Sequence, residues 1–435
     1  MMKNYPSITV APPGPKARAT IEKDRAYASP SYIKEYPLVV ERGLGAMIED
    51  VDGNRYLDFM TGIAVASTGH AHPKVVEAIQ NAAAKFLHIC ATDFYYPGFA
   101  DLCERLARLG PGTGAKRVFL TNSGAEAIEG AIKLARSHTK RANFIAFEGA
   151  FHGRTMGAIS LNSSKAKYRK NFGPLLSGVH HLPYANPYRP SDWKGAAEEL
   201  FRQRVAPDEI AAVFMEPILG EGGYVIPPHD FLEYWRAFCD EHGALLVFDE
   251  VQSGIGRTGN MFAADTLGVA PDVTLCAKGL GSGMPIGAII AKESVMTWEQ
   301  GSHGSTFAGN PVCCAAALAT LDLVEGGLAA NAQKVGKVLL DGLLALKEKH
   351  AVIGDVRGVG LMIGVEFVRD RVTKEPYDEI VPQLEAAAFE RGLLLLGCGR
   401  SVIRIAPALL IDEEDVAIAL RIFDDSLEAL TLVAV

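Results

Sequence analysis

Residues 243–283 read GALLVFDEVQSGIGRTGNMFAADTLGVAPDVTLCAKGLGSG, and the rest of the chain is organised around this stretch. It contains two apolar runs: residues 244–248 lead into Asp249, and residues 273–277 lead into Lys278. Short apolar runs rich in Val and Leu are typical of buried strands in parallel sheets. Because ligands of open α/β sheets bind beyond the carboxyl ends of the strands, we expect Asp249 and Lys278 to share one edge of a sheet.

A carboxylate and an amine at one sheet edge suit a particular kind of cofactor. Such a cofactor forms a Schiff base with an amine and carries a ring nitrogen that pairs with an anion. Taken alone, the stretch is more typical of an ordinary turn, with Asp249 as a cap and Lys278 as a solvated strand end. The residues at the other predicted strand ends distinguish between these two interpretations.

The composition is that of a soluble globular protein. The chain has 435 residues, 49% hydrophobic and 22% charged, which suggests two or three packed lobes. Its net charge of −8 gives no support for nucleic-acid binding. The seven cysteines are irregularly spaced, the N-terminus lacks an apolar signal segment, and no apolar run approaches about 18 residues. We therefore expect a cytoplasmic protein that does not span a membrane.

The pattern along the chain predicts an α/β fold. Strand and helix patterns alternate between about residues 115 and 291, which favours a largely parallel sheet flanked by helices. An earlier hairpin is predicted at Asp52-Gly53, and an α+β lobe follows from about residue 311. We predict an N-terminal segment over 1–65 that is part of a small domain, a large domain over 66–325, and a C-terminal small α+β domain over 326–435.

Two further strand ends carry groups suited to an anionic ring compound. Ser123-Gly124-Ala125 opens a predicted helix, where backbone N–H groups and the helix dipole attract a phosphate. The alternative is an ordinary helix start with Ser123 as its N-cap. Phe151 or His152, after the next strand, is suited to stacking on a planar ring. The alternative there is a core aromatic residue.

Charged side chains cluster at the same predicted edge. Arg154 is suited to binding a carboxylate through its two-pronged guanidinium group, unless it is merely a surface arginine. Glu216 and Glu221 lie in a glycine-rich loop after another strand, where a capping role is the alternative. Gln252 follows Asp249 and offers an amide to a ring hydroxyl. A lysine partly removed from water, as Lys278 would be, has a lowered pKa and becomes nucleophilic.

Motifs of other classes are weak. No Walker A motif occurs, and Gly358-Val359-Gly360 lacks the third glycine of a dinucleotide-binding loop. His70 and His72 form the sole H-x-H motif, which would suit a metal-dependent hydrolase, but no second histidine cluster supports it. We keep that hydrolase as an alternative from another class and predict no metal site. A binding protein without activity would require Lys278 and Asp249 to be idle.

Together these motifs resemble one family. The chain is similar to the class III, pyridoxal-phosphate-dependent aminotransferases of fold type I, and within them to the 4-aminobutyrate aminotransferases. The resemblance runs from about residue 30 to the end. The matching stretches are DVDGNRYLDFMTGIAVASTGHAHP (50–73), TNSGAEAIEGAIKLAR (121–136), AFHGRT (150–155), EPILGEGGY (216–224), FDEVQSGIGRTG (248–259), AKGLGSGMPIGA (277–288) and STFAGNPVCCAAALA (305–319).

The resemblance implies the fold and the cofactor site. It implies a large, mostly parallel, seven-stranded sheet domain, a smaller α+β domain, and pyridoxal 5′-phosphate as cofactor. By this resemblance Lys278 forms the Schiff base and moves the proton, and Asp249 pairs with the pyridine nitrogen. The remaining cofactor-binding positions are Gln252 near the ring hydroxyl, Phe151 and His152 at the ring face, Ser123, Gly124 and Ala125 at the phosphate, and Thr306 of the partner subunit of a homodimer.

The resemblance also implies a substrate site. Arg154 matches the position that binds the distal carboxylate of 4-aminobutyrate or glutamate, and Arg404 matches the α-carboxylate binder. Glu221 matches a partner that pairs with Arg404 when the substrate lacks an α-carboxylate, since a buried guanidinium without an anion is costly. Ile63 and Glu216 match positions that line the same pocket.

We therefore expect transamination from an amino donor, 4-aminobutyrate or a similar ω-amino acid, to 2-oxoglutarate, giving glutamate. Some close relatives are amino-acid racemases or 2-epimerases, which need the same Lys278 and Asp249. They differ in the carbon that receives the returning proton. The motifs leave this alternative open, together with the physiological donor, assembly beyond a dimer and the role of residues 1–30.

Overall fold

The computed structural model describes residues 5–433 of the chain. The α-helices are α1 Pro15–Tyr27, α2 Thr61–Ala64, α3 Pro73–Ala83, α4 Pro97–Leu109, α5 Gly124–Thr139, α6 Met156–Leu161, α7 Trp193–Gln203, α8 His229–His242, α9 Ala263–Leu267, α10 Pro311–Leu323, α11 Ala329–Lys349, α12 Ile380–Glu390 and α13 Glu413–Val433. The strands are β1 Val40–Leu44, β2 Met47–Asp50, β3 Arg55–Asp58, β4 Lys116–Thr121, β5 Asn143–Phe147, β6 Val179–Leu182, β7 Ile210–Met215, β8 Leu245–Asp249, β9 Val273–Cys276, β10 Gly287–Lys292, β11 Ile353–Val359, β12 Met362–Asp370, β13 Glu375–Pro376, β14 Leu393–Leu394, β15 Leu396–Cys398 and β16 Val402–Ile405.

The largest sheet confirms the predicted α/β fold. Among the described residues it has seven strands in the order β4-β10-β9-β8-β7-β5-β6. The five strands from β9 to β6 are parallel neighbours, whereas β10 runs antiparallel to both β4 and β9. Every residue of β7 and β8 is buried, because helices cover both faces of a parallel sheet.

One strand of this sheet has no signal in the sequence. β6 is only four residues long and contains His180 and His181, which lack the apolar pattern of a buried strand. The strand lies at the sheet edge, where His181 Nε2 lies 3.2 Å from the carbonyl oxygen of Leu161. A polar side chain is tolerated there because it finds a backbone partner.

Two smaller sheets lie outside the large one. The predicted hairpin is present as β2 and β3, and β3 pairs in parallel with β14 from the C-terminal part of the chain. A further antiparallel sheet has the order β11-β12-β16-β15 and carries Arg404 on β16. The predicted domain boundaries at 65/66 and 325/326 stay a proposal, which the pairing of β3 with β14 supports.

The stretch Pro311–Lys349 is the single candidate membrane span that length and composition pick out among the described residues. It comprises α10, a π-helical turn at Val324–Leu328, and α11. Eight of the thirteen residues of α10 are buried within the protein. The apolar side chains of α10 therefore pack largely within the protein core.

Candidate active site

The two residues that end the central strands lie on one edge of the large sheet. Asp249 is the last residue of β8 and is paired in register with Leu275 of β9. Lys278 follows β9 by two residues and begins a short 3₁₀ turn, Lys278–Leu280. Because β8 and β9 are parallel neighbours, their carboxyl ends bring the carboxylate and the amine to the same edge.

Lys278 is partly buried, and its backbone has a φ of 40°, in the left-handed region that non-glycine residues rarely occupy. Burial, together with the positive charge of Arg404, lowers the pKa of its amine to about 8. A lysine with this pKa has a substantial neutral, nucleophilic fraction near neutral pH. Backbone strain of this kind is concentrated at functional sites.

Asp249 is held by two hydrogen bonds. Its Oδ2 accepts from Nδ1 of His152 at 2.8 Å, and its Oδ1 accepts from the backbone N–H of Val251 at 3.0 Å. Burial alone would lower the pKa of His152, but the bond to Asp249 outweighs burial and raises it. A raised pKa favours the protonated, positively charged imidazole, which lies directly against the Asp249 carboxylate.

This contact changes what we expected of His152. The resemblance implied that both Phe151 and His152 lie at the ring face, but the His152 side chain is fully buried and its Nδ1 is engaged by Asp249. Phe151 is partly exposed and packs edge-on against Tyr168, with 5.5 Å between the ring centroids. Of these two residues, Phe151 is the one left accessible to a ring.

Glu216 supports the loops behind this edge. Its Oε1 accepts from the backbone N–H of Phe151 and its Oε2 from that of Gly220, both at 2.8 Å. Burial raises the pKa of Glu216 to about 7, since its charged form loses hydration beside Asp249. With both oxygens engaged, Glu216 fixes the positions of two loops instead of presenting a free carboxylate to a substrate pocket.

The N-terminus of α5 opens onto the same sheet edge. Ser123 is the N-cap, and its Oγ accepts from the backbone N–H of Glu126 at 3.2 Å. A Cβ atom at Gly124 would lie 2.9 Å from the side chain of Val251, so only glycine allows this close approach. Gly124 and Ala125 carry first-turn N–H groups that cannot be satisfied within the helix, an arrangement suited to a phosphate.

Gln252 is oriented by a residue that the sequence analysis did not single out. The hydroxyl of the buried Tyr224 donates a 2.7 Å hydrogen bond to Oε1 of Gln252. The bond leaves the amide nitrogen of Gln252 free to donate toward a ring hydroxyl. Tyr224 closes the matching stretch EPILGEGGY, but a tyrosine in a loop has no pattern that indicates this contact.

Glu221 and Arg404 form an ion pair. Nη2 of Arg404 donates to Oε2 of Glu221 at 2.7 Å and to the carbonyl oxygen of Gly397 at 2.9 Å. Arg404 is 4% exposed, and within the described part of the chain its Nε has no hydrogen-bond partner. Burial alone would lower the pKa of Arg404, but Cys398 and Glu221 outweigh it and raise the pKa.

A second cation binds the same carboxylate. Nζ of Lys165 donates to Oε1 of Glu221 at 2.7 Å, and the hydroxyl of Tyr168 donates to that oxygen at 3.2 Å. Burial alone would raise the pKa of Glu221, but Arg404 and Lys165 outweigh it and hold the pKa below its usual range. Glu221 is therefore shared by two cations, of which the sequence analysis identified only Arg404.

Arg154 lies next to this cluster and is exposed. Its guanidinium carbon is 3.8 Å from the centroid of the Tyr168 ring, a cation–π contact. We find no ion pair to Arg154 among residues 5–433. The guanidinium is thus positioned by an aromatic face and remains available to a carboxylate.

Ile63 lies in an unusual turn. Thr61, Gly62, Ile63 and Ala64 all have φ between 47° and 68°, so the short helix α2 is left-handed. Such a conformation costs roughly 1–2 kcal/mol for each residue other than glycine. Ile63 is 39% exposed, so core packing does not explain its place in this strained turn.

Hydrogen bonds to Asp58 and to Ala406 hold the strained turn in place. Asp58 Oδ1 accepts from the backbone N–H groups of Met60 and Thr61 at 2.9 and 2.8 Å, and its Oδ2 accepts from Nε2 of His70 at 2.7 Å. Thr61 Oγ1 donates to the carbonyl oxygen of Ala406, two residues after Arg404, at 2.7 Å. His70 therefore braces the turn, a role that its H-x-H motif did not indicate.

Thr306 is exposed, and its neighbour Phe307 is also exposed. The adjacent Ser305 accepts a 3.0 Å hydrogen bond from Nδ2 of Asn122, the residue before Ser123. Thr306 itself makes no hydrogen bond to the other predicted residues within residues 5–433, which is compatible with donation to a second subunit. His70 is bonded to Asp58, and no group of three metal-binding side chains occurs among residues 5–433.

The side chains at this edge fit pyridoxal phosphate. A buried carboxylate with a supporting imidazole suits a protonated pyridine nitrogen, and the glycine-lined helix terminus suits a phosphate. The amine with the lowered pKa suits the aldehyde.

Comparison with known proteins places the chain in a family. The family model of the aminotransferase class-III proteins matches residues 28–427. A 4-aminobutyrate aminotransferase of Escherichia coli is 40% identical over 89% of this chain and 92% of its own. An alanine/serine racemase of Pyrococcus horikoshii is 39% identical over 98% of this chain and 94% of its own.

The structural comparison agrees with the sequence comparison. An (S)-enantioselective ω-transaminase from Thermomicrobium roseum superposes with a TM-score of 0.88 and 32% identity, over 95% of this chain and 99% of that one. The shared architecture is fold type I, whose cofactor is pyridoxal phosphate. From its sequence, its fold and the geometry of this sheet edge, the chain belongs to the class III aminotransferases.

Proposed function

We propose that this enzyme transfers an amino group from 4-aminobutyrate or a similar ω-amino acid to 2-oxoglutarate, giving glutamate. The observation that carries the proposal is the ion pair between Glu221 and Arg404. A buried guanidinium needs an anion at every stage of the reaction. The two substrates differ in whether they bring an α-carboxylate, and a mobile carboxylate on Glu221 accommodates both.

The proposal assigns two carboxylate sites. An ω-amino donor places its single carboxylate on the exposed Arg154, while Glu221 keeps Arg404 neutralised. Glutamate or 2-oxoglutarate places its distal carboxylate on Arg154 and its α-carboxylate on Arg404, which displaces Glu221. The displaced carboxylate keeps Lys165 and Tyr168 as partners, so it is not left buried and unpaired.

When bound, pyridoxal phosphate supplies an aldehyde and a ring that accepts electrons from the substrate carbon. Asp249, backed by His152, would pair with the pyridine nitrogen of the bound cofactor. Gln252, oriented by Tyr224, would donate to its ring hydroxyl. Lys278 Nζ is the group that removes the proton from the carbon bearing the donor amine and returns it elsewhere.

We also propose that the enzyme is a cytoplasmic homodimer in which Thr306 of the partner subunit contacts the phosphate. Large apolar side chains near Thr306 are exposed in the single chain: Leu87, Phe94, Tyr95 and Phe307. Exposed apolar side chains concentrated in one region are typical of a protein–protein interface. A second copy covering this region would bring Thr306 close to its neighbour's helix terminus.

A racemase or 2-epimerase is the second candidate, because the Pyrococcus horikoshii relative is named an alanine/serine racemase. It would use Lys278 and Asp249 in the same way but return the proton to the substrate carbon. It would have no need for a carboxylate that pairs alternately with Arg404. The ion pair therefore favours transamination.

The deciding experiment uses the purified holoenzyme. Amino donors of the ω and α classes are incubated with 2-oxoglutarate, and glutamate is measured by chromatography. In parallel, L-alanine and L-serine are incubated without an oxo acid, and their optical activity is followed. Lys278→Ala is the control in both arms.

We expect glutamate to form from 4-aminobutyrate or a homologous ω-amino acid. Loss of optical activity without an oxo acid, together with no glutamate formation from any donor, would favour the racemase and reject transamination. Formation of glutamate from α-amino donors alone would retain the aminotransferase but reject the ω-amino donor.

A further inference from the structure

The segment that follows the Arg154 motif is depleted of acidic residues. The whole chain has a net charge of −8, with 51 acidic and 43 basic residues. Between Glu148 and Asp192, however, no Asp or Glu occurs. The same 43 residues contain six cations, namely Arg154, Lys165, Lys167, Arg169, Lys170 and Arg189.

Most of these cations line one groove. The groove has a volume of about 600 Å³ and no acidic side chain in its lining. It is lined by Ser163, Lys165, Ala166, Lys167, Arg169 and Lys170. Over the described residues, Lys165 is the single member of the groove with a carboxylate partner, Glu221. Lys167 and Lys170 are exposed, and Arg169 donates to the carbonyl oxygen of Asn162. We call this the basic groove.

The basic groove adjoins the proposed substrate site. Lys165 contributes to the groove and is at the same time 2.7 Å from Glu221, which bonds to Arg404. Tyr168 lies between the groove and Arg154: Nζ of Lys167 is 5.7 Å from its ring centroid, and the guanidinium carbon of Arg154 is 3.8 Å from it. The cations of the groove therefore reach the neighbourhood of Arg154 through Tyr168, and that of Arg404 through the shared carboxylate of Glu221.

We propose that the basic groove captures dianionic oxo acids and dicarboxylic amino acids and guides them to Arg154 and Arg404. The inference rests on the proposed function, because it assumes a dicarboxylate substrate. A cleft lined by charges of one sign concentrates the field and raises the association rate of an opposite charge about 10–1000-fold. In a chain whose net charge repels anions, such a local region is what allows a dianion to approach quickly.

The occupant is a small anion and not a nucleic acid. A nucleic-acid surface requires basic residues spread along a face of the protein, whereas the excess acid of this chain lies outside residues 149–191. The groove also shares Lys165 with the cluster around Glu221, beside two arginines suited to carboxylates. Charge complementarity thus matches the groove to the substrate that carries two negative charges.

The test measures how fast 2-oxoglutarate associates with wild type and with each variant, all as holoenzyme in the amine form. The double variant Lys167→Gln/Lys170→Gln removes two groove charges that touch no predicted catalytic group. Lys334→Gln/Lys337→Gln, on the exposed face of α11, is the control with the same change in net charge. Stopped-flow absorbance measures the second-order rate constant with 2-oxoglutarate at ionic strengths of about 0.01 M and 0.15 M, where the Debye length is about 30 Å and 8 Å.

We expect the groove variant to react about three- to tenfold more slowly than wild type at the lower ionic strength, and within about twofold of wild type at the higher one. The rate at saturating 2-oxoglutarate should be unchanged, and the control variant should behave as wild type. Equal rates for wild type and groove variant at low ionic strength would overturn the inference. So would an equal loss in the control variant, since net charge alone would then explain it.

A second arm separates failure of the inference from failure of the proposed function. Binding of glutarate, a dicarboxylate that cannot react, is measured by isothermal titration calorimetry at the same two ionic strengths. If wild type does not react with 2-oxoglutarate at all, the proposed function fails. The binding of glutarate to wild type and to the groove variant then tests the role of the basic groove by itself. Weaker glutarate binding by the groove variant at low ionic strength supports the groove, and unchanged binding rejects it.

Discussion

Nη2 of Arg404 donates a 2.7 Å hydrogen bond to Oε2 of Glu221, and both side chains are largely withdrawn from water. The pair joins the β12–β16 sheet to the loop after β7, so it connects the small and large parts of the fold. Removing one partner of an ion pair at this depth is costly, because the other charge stays buried and unpaired. Substitution of Glu221 or Arg404 should therefore make activity depend on the carboxylates that the substrate brings.

Glu221→Gln is expected to lower kcat/KM for 4-aminobutyrate by at least about tenfold, because Arg404 would stay buried without an anion throughout that half-reaction. Glutamate supplies an α-carboxylate, so its kcat/KM should change by less than about threefold. Single-turnover absorbance changes of the holoenzyme with each donor measure both values. Equal losses for the two donors would contradict an alternating role for Glu221.

Lys165→Met is expected to raise KM for 2-oxoglutarate about five- to thirtyfold, at an ionic strength high enough to suppress long-range steering. Without Lys165, Arg404 is the one cation left on Glu221, and the incoming α-carboxylate must displace a stronger pair. Lys167→Met is the matched control, because Lys167 has no carboxylate partner among the residues described. A similar KM for the two variants would show that Lys165 acts only as a surface charge.

Ile63→Gly should separate stability from specificity. Glycine adopts a φ of 68° without strain, so the free energy of unfolding should stay the same or rise by about 1 kcal/mol, although a side chain is removed. KM for the amino donor should rise severalfold if Ile63 lines the substrate pocket. Thermal unfolding and steady-state kinetics give the two readouts.

Val65→Gly is the matched control for that experiment. Val65 directly follows the left-handed turn but has a φ of −93°, in the right-handed region. The same substitution there should destabilise the protein by roughly 1 kcal/mol, since glycine loses more conformational entropy on folding. If both variants lost stability equally, the turn at Ile63 would not be strained.

Uptake of pyridoxal phosphate by the apoenzyme should depend on pH through Lys278. Its pKa is lowered to about 8, so the amine is protonated below that pH and neutral above it. Because only the neutral amine attacks the aldehyde, the rate of cofactor incorporation should rise with pH and level off above about 8. Absorbance of the bound cofactor follows the rate. A midpoint near the usual lysine value of about 10.4 would contradict the lowered pKa.

Hybrid dimers test whether Thr306 acts across the subunit interface. Thr306→Asp should repel the phosphate, and Lys278→Ala removes the amine, so each variant alone should be nearly inactive. After the two are mixed and reassembled, a heterodimer would contain one intact site, and roughly a quarter of wild-type activity should return. No recovery despite proven subunit exchange would place Thr306 at its own chain's site or at none.

Several features could be predicted from the sequence because they depend on local patterns. The apolar runs before Asp249 and Lys278 specify buried parallel strands, and the parallel arrangement then brings their ends to one edge. The hairpin at Asp52-Gly53 follows from its turn residues. Ser123 was correctly expected to begin a helix, since it lies at the N-cap of α5.

Other features depend on which distant residues meet. His152 was expected at a ring face, but its partner Asp249 lies 97 positions away, and the bond between them follows from the neighbouring strand ends. Lys165 and Tyr168 carry no motif, yet folding brings them to Glu221. β10 looks like any other apolar strand in the sequence, and only its connection makes it antiparallel.

The sequence by itself determined the fold type, the family and the strand ends that carry the amine, the carboxylate and the phosphate-binding turn. The strand ends follow from hydrophobic periodicity and from residue types adjacent in the chain, whereas fold type I and the family were implied by the resemblance of whole motifs. The tertiary structure alone decided which groups neutralise one another: His152 with Asp249, Lys165 and Arg404 with Glu221, and Asp58 with His70. Charge pairing acts over a few ångströms in space between residues far apart in sequence, so only the folded chain can specify it.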